Sequence, residues 1–254
     1  MLRLTTHPTL QPARAVVFDK DGVLVDFAPF WRAVVRARID ALLGLAGLGE
    51  AERGLLTELF GIREGRIDPT GPLAMGARVE ALTLSAGFLY SRGFDWLEAR
   101  SLSESAFQAG EDGVSPADHV QAPGPIRPAL EKLVARGAKL AVATSDTTAN
   151  ARRDLALLGI SHCFSAVFGA DAVARNKPHP DMLHAACDAL GVEPHETWMV
   201  GDGLNDMRMA RHARAAGAIA VASGITPAAW LAPEADCVLS GVWELETLLV
   251  PGEG

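Results

Sequence analysis

The stretch Ala15-Val16-Val17-Phe18-Asp19-Lys20-Asp21-Gly22 decides how this chain is read. Its four leading residues form a short apolar run suited to a parallel strand buried on both faces, and the carboxylate that ends it would be delivered to a sheet edge. Such a strand needs partners, and none lies nearby. From about residue 30 to 110 the β-type runs give way to Ala, Leu, Arg and Glu, with apolar residues three and four apart, as in Trp31, Val34, Val35, Ile39, Leu42 and Leu43. Breaks at residues 44–49, at Asp68-Pro69-Thr70-Gly71-Pro72 and at Gly93 divide this block into four helices. Beyond Pro123-Gly124-Pro125 the strand-like runs return at 140–143, 166–168, 198–200, 219–222 and 237–239, alternating with helical patterns at 126–136, 150–158, 180–190 and 204–213. That alternation predicts a parallel sheet covered by helices on both faces. The first strand is expected to join this distant sheet, which makes the helical block an insertion after it.

Composition narrows the function classes. The 254 residues are 49% apolar and 21% charged, enough hydrophobic material to offset the entropy of ordering a backbone. Lys and Arg number 23 against 31 Asp and Glu, a net charge of −8, so no global positive field draws nucleic acid or anionic lipid and any phosphate site must be built locally. Cys163, Cys187 and Cys237 have no metal-ligand spacing and read as three buried, unbridged side chains of a reducing, cytoplasmic compartment. The first 14 residues, broken by His7, Pro8 and Pro12, argue against a secretory signal, and no segment approaches the ~18 uninterrupted apolar residues of a membrane span.

Ligands of open parallel sheets bind beyond the carboxyl ends of the strands, so the polar residues that follow each apolar run are read together. They are Asp19-Lys20-Asp21-Gly22, Thr144-Ser145-Asp146, and Gly201-Asp202-Gly203-Leu204-Asn205-Asp206, with Lys177 in Lys-Pro-His-Pro-Asp ahead of a helix. Each piece alone reads blandly: a turn, a helix cap at Thr144, a first-turn acid at Asp206, a surface lysine. Converging, they make a site. Like charges about 4 Å apart repel by roughly 4 kcal/mol at an effective dielectric near 20, so clustered carboxylates need a cation. Hard oxygen donors suit Mg²⁺, which also binds substrate phosphate.

In order and spacing, Asp19-Lys20-Asp21-Gly22-Val23-Leu24-Val25-Asp26, Thr144, Lys177-Pro178-His179-Pro180-Asp181 and Gly201 to Asp206 resemble the four motifs of the haloacid dehalogenase superfamily. The helical insertion resembles the cap of the group containing phosphoglycolate phosphatase and β-phosphoglucomutase. The resemblance implies an α/β fold with a parallel-sheet Rossmann-like core, residues 1–26 and 119–254, and an inserted helical cap, residues 27–118. It implies Asp19 as nucleophile, Asp21 as general acid and then base, Thr144 and Ser145 as phosphate ligands, and Lys177 as charge balance. Mg²⁺ would be held by Asp19, the Asp21 carbonyl, Asp202 and Asp206. The activity implied is hydrolysis of a small phosphorylated metabolite by a monomer or homodimer.

Three positions depart from the family pattern, one of them Ser145, which follows Thr144 where Asn is frequent and where a backbone N–H would serve the phosphate equally. Val23 stands where many of its phosphatases have Thr, and Lys20, turned away from Asp19 by strand alternation, reads as incidental. Arg63, Arg66, Arg78 and Lys20 are the cations available to an acidic leaving group, and Phe27, Phe30 and Trp31 the apolar candidates, although arginines on amphipathic helices are commonly solvated. His119, His162, His179, His184, His195 and His212 show no metal spacing. A phosphomutase keeps the same motifs and stays open, as does a silent binding protein of the same fold. A dehalogenase needs no acid two residues after its nucleophile, and a phosphonate hydrolase needs a cap lysine, which residues 27–120 lack.

Overall fold

The computed structural model describes residues 10–76 and 78–248; the readings of His7 and of the segment before residue 10 lie outside them. The chain forms two compact units, Ala28–His119 and a second one made of the flanking segments up to Phe27 and from Val120.

The second unit is built on six parallel strands: β1 (Ala15–Phe18), β2 (Lys139–Ala143), β3 (Ala166–Phe168), β4 (Thr197–Gly201), β5 (Gly217–Val221) and β6 (Cys237–Leu239). Their order across the sheet is β3-β2-β1-β4-β5-β6. The isolated apolar run at Ala15 is thus the central strand, its Phe18 in register with Val142 of β2 and Val200 of β4. Strand ends differ from the hydrophobic runs by one or two residues, because β2, β4 and β5 begin at Lys139, Thr197 and Gly217, where ladder pairing outweighs side-chain polarity.

Both faces of β1 are covered, which is why its sequence is continuously apolar. Val16 and Phe18 pack with Ile126, Leu130 and Leu133 of one helix (Ile126–Ala135) and Ala151 and Leu155 of another (Thr148–Leu157). Ala15 and Val17 pack on the opposite side with Met182 and Ala186 (helix Asp181–Leu190) and Met207 and Ala210 (helix Leu204–Ala213). The strand order reverses direction at β1, so the crevice for a ligand opens beyond the carboxyl ends of β1, β2 and β4.

The unit Ala28–His119 contains the four expected long helices, Phe27–Ala46, Glu50–Leu59, Arg78–Ser91 and Trp96–Asp112. Arg38 lies within the apolar stripe of the first because its charge is matched there: it pairs with Glu111 at 2.6 Å, and its guanidinium sits 4.3 Å from the Phe107 ring centroid. Gly110 lets the two helix backbones come this close, since a Cβ there would lie 2.7 Å from the Arg38 backbone nitrogen. The periodicity did not foreshadow a two-residue antiparallel ribbon, Ile62–Arg63 against Arg66–Ile67, closed by Glu64 and Gly65 at φ 50° and 73°. Positive φ at both turn residues gives the twist a tight hairpin needs. All three cysteines are free; Cys163 and Cys187 are buried as expected, whereas Cys237 on the edge strand is only partly covered. Among the described residues, no helix is long and apolar enough to cross a membrane.

Phe18 is fully buried, with the Phe164 ring edge-on at 6.0 Å. Phe18→Ala is expected to cost about 3–5 kcal/mol in urea unfolding. A loss below about 1 kcal/mol would contradict the central placement of β1.

Candidate active site

Two adjacent strands present the first pair of acids. Asp19 follows β1 and donates its backbone N–H to the Val200 carbonyl at 2.8 Å, while Asp202 follows β4. The chain then turns tightly: the Lys20 carbonyl accepts from the N–H groups of Leu24 and Val25 at 2.8 and 2.9 Å, and Gly22 takes φ +79°. A side chain at Gly22 would be strained, and its Cβ would fall 2.3 Å from an Asp202 carboxylate oxygen. Gly224 gives the same acid room from the loop after β5, and the Ser223 hydroxyl ties that loop to the Gly22 carbonyl at 2.7 Å. Asp206, in the first turn of helix Leu204–Ala213, accepts from the Gly203 N–H at 3.0 Å and so caps its own helix while facing the other acids.

Carboxylate oxygens of Asp19, Asp202 and Asp206 lie within 4.8 Å of one another. One ammonium joins them: Lys177 Nζ is 2.8 Å from Asp19 and 2.6 Å from Asp206. Burial pushes Asp19 up to about 6, against the pull of Lys177 and with added repulsion from Asp206. Asp202 is raised well above the usual carboxylate range by burial and by the charges of Asp19 and Asp206. Burial alone would lower Lys177, yet Asp19 and Asp206 together hold it above its ordinary value. A set of hard oxygen donors carrying excess negative charge suits a small divalent cation such as Mg²⁺. The Asp21 carboxylate stands outside this triad.

Asp21 belongs to a second cluster, and here the reading of Lys20 needs correction. Lys20 is completely buried, its Nζ 3.1 Å from Asp21, 3.1 Å from Asp146 and 2.7 Å from Asp154. It is therefore neither incidental nor offered to a substrate. Asp154 is also fully buried and takes two further bonds from Arg153, at 3.0 and 2.8 Å. Burial raises Asp21 to about 6, opposed by Lys20 and reinforced by Asp146 and Asp19. The sequence held a signal for this cluster. Asp154 falls between Ala151 and Leu155 on the buried stripe of its helix, where an acid requires a cation.

Thr144 does not cap a helix. Thr147 caps Thr148–Leu157, accepting from the Asn150 N–H at 3.2 Å. The buried Thr144 hydroxyl accepts from the Asp146 N–H at 3.2 Å, which leaves its own proton to donate, and Ser145 beside it is exposed. Asp19, Asp21, Thr144, Ser145, Lys177, Asp202 and Asp206 thus all belong to the sheet unit. Arg63 and Arg66 face each other across the ribbon of the other unit, both exposed, while Arg78 is taken by Glu111 at 3.0 Å. Phe27 and Phe30 are buried, and the His212 ring nitrogen Nδ1 donates to the Pro178 carbonyl at 2.8 Å, bracing the segment that carries Lys177.

A model of the haloacid dehalogenase-like hydrolase family matches residues 13–214, and the chain belongs to that family. Among its relatives is IndB of Dickeya dadantii, described as a probable phosphatase, which is 44% identical over 109 residues; the match spans 41% of this chain and 47% of IndB. The phosphoglycolate phosphatase of Chromobacterium violaceum is 31% identical over 244 residues, 96% of this chain and 99% of that protein. The crystal structure of a predicted phosphoglycolate phosphatase from Haemophilus somnus shares the fold, with a TM-score of 0.70 at 20% identity over 93% of this chain and 97% of that one.

The raised acids make a stability prediction whose sign follows from linkage. With its folded value near 6 and its ordinary value 3.8, Asp19 holds a proton more tightly in the folded state, so its contribution to stability falls as pH rises through that window. With chelator present at pH 7.5, Asp19→Asn is expected to melt at least about 2 °C above the parent, the equivalent of ~1 kcal/mol for a chain of this size, and the gain should fade toward pH 4. A variant less stable than the parent at pH 7.5 would contradict the charge crowding.

Proposed function

We propose that the protein is a Mg²⁺-dependent phosphatase that cleaves a small phosphomonoester through phosphorylated Asp19. The observation that supports it most is Asp19 paired with Lys177 at 2.8 Å, two residues from a second acid that burial raises to about 6. Asp19 attacks phosphorus as the bond to the leaving oxygen breaks; that oxygen keeps the electron pair and takes the proton of Asp21. Asp21, now a carboxylate, accepts a proton from the water that attacks phosphorus next, and the bond to Asp19 breaks to return its carboxylate. Lys177 offsets the Asp19 charge, and the Thr144 hydroxyl and the backbone beside Ser145 donate to phosphoryl oxygens. When bound by Asp19, Asp202, Asp206 and the Asp21 carbonyl, Mg²⁺ supplies the positive charge that lets an anionic phosphoryl group meet an anionic nucleophile.

Relatives named phosphoglycolate phosphatase support an acidic alkyl phosphate as substrate. We assign the unit Ala28–His119 the role of a cap that selects the leaving group, with the exposed Arg63 and Arg66 as candidates for its carboxylate. Three free cysteines fit work in the cytoplasm.

Phosphorylated acids supplied with Mg²⁺ should release phosphate, with ¹⁸O from labelled water entering it at the turnover rate. Asp19→Asn should lower turnover by more than about 100-fold with unchanged circular dichroism. Hexose phosphate interconversion far outpacing phosphate release would instead establish a mutase, and substantial activity in Asp19→Asn would remove Asp19 as nucleophile.

A further inference from the structure

Lys20 stands where the chemistry needs no cation. The charge of the nucleophile is already matched by Lys177, and a buried ammonium is tolerated only when carboxylates surround it. Its three partners are not equivalent. Asp154, without exposed surface, is gripped by Arg153 on one oxygen and by Lys20 on the other. Asp146 is fixed by its own neighbours, accepting from the Thr147 N–H at 2.7 Å and from the Asn150 side chain at 2.9 Å. These two acids therefore define where Nζ sits. Asp21 lies on the turn that follows β1, whereas Asp154 is on the helix Thr148–Leu157 and Asp146 just before its N-cap, and Asp21 meets an ammonium placed by the other two.

We infer that Lys20, anchored by Asp146 and Asp154, is a positioning residue that sets the orientation of the Asp21 carboxyl toward the leaving oxygen. The inference rests on the reading of Asp21 as proton donor. Lys20 acts from both ends: its carbonyl closes the turn by accepting from Leu24 and Val25, while its Nζ ties that turn to the helix Thr148–Leu157. The segments carrying Asp21 and Thr144 are thereby linked through one side chain.

A positioning role differs from a structural one in its dependence on the leaving group. An alkoxide leaves only with a proton, whereas p-nitrophenolate leaves without one. Full-length parent, Lys20→Met and the charge-balanced Lys20→Met/Asp154→Asn are compared in single-turnover cleavage of an alkyl phosphate and of p-nitrophenyl phosphate with Mg²⁺. The double variant removes one buried charge of each sign, which protects the fold should the single variant not survive. The expected result is a loss on the alkyl phosphate at least about 30-fold greater than on the aryl phosphate, a misoriented acid forfeiting part of the roughly 10²–10⁴-fold that general acids supply. Asp21→Asn should show the same selectivity. An equal loss on both substrates, or undiminished alkyl cleavage, overturns the role of Lys20 while the parent's activity still upholds the phosphatase reading. A parent that cleaves neither ester overturns that reading and this inference with it.

Discussion

Buried negative charge at the carboxyl ends of β1, β2 and β4 is the constraint on which the rest of this structure depends. Asp19, Asp202 and Asp206 crowd within 4.8 Å, Asp19 and Asp206 sharing Lys177, while Asp21, Asp146 and Asp154 converge on Lys20. Six carboxylates meet two buried ammonium groups and the half-exposed Arg153. Folding alone does not favour such an arrangement, and the raised pKa values of Asp19, Asp21 and Asp202 express its cost. The sheet supplies the compensation. Its two apolar layers hold β1 rigidly, and glycines at 22, 201 and 224 leave the acids space that any side chain would occupy.

The charge divides into two groups with different work. The half around Lys177 carries the proposed nucleophile and the oxygens able to hold a divalent cation; the half around Lys20 carries the acid proposed to handle protons. One tight turn from Asp19 to Val25 joins them, so Asp19 and Asp21 are set by the same backbone hydrogen bonds. That economy explains why a single short segment is so informative in the sequence.

Much of the architecture was legible because it is written in local patterns. The run Ala15 to Phe18 had to be a buried strand, and the acids that follow the apolar runs had to converge once those runs formed one parallel sheet. Lys20 was misread because alternation tells which way a side chain leaves a strand, not what waits for it; its partners Asp146 and Asp154 lie far along the chain and are brought to it by the fold. Arg38 hid for the same reason, its pairing with Glu111 spanning two helices. The ribbon at Ile62 was too short for a period of two to register. Arg63 and Arg66 were legible only as cations available to an acidic leaving group, since an exposed arginine carries no local mark of what it binds.

The account turns on whether the crowded acids at Asp19 and Asp202 await a divalent cation. Calorimetric titration with Mg²⁺ at pH 6, in two buffers of different ionisation enthalpy, measures this directly because a cation must displace the protons that burial retains. The predicted result is one site per chain with net proton release at pH 6, a smaller release at pH 8, and loss of binding in Asp202→Asn. Absence of Mg²⁺ binding, or binding at pH 6 without proton release, would contradict it.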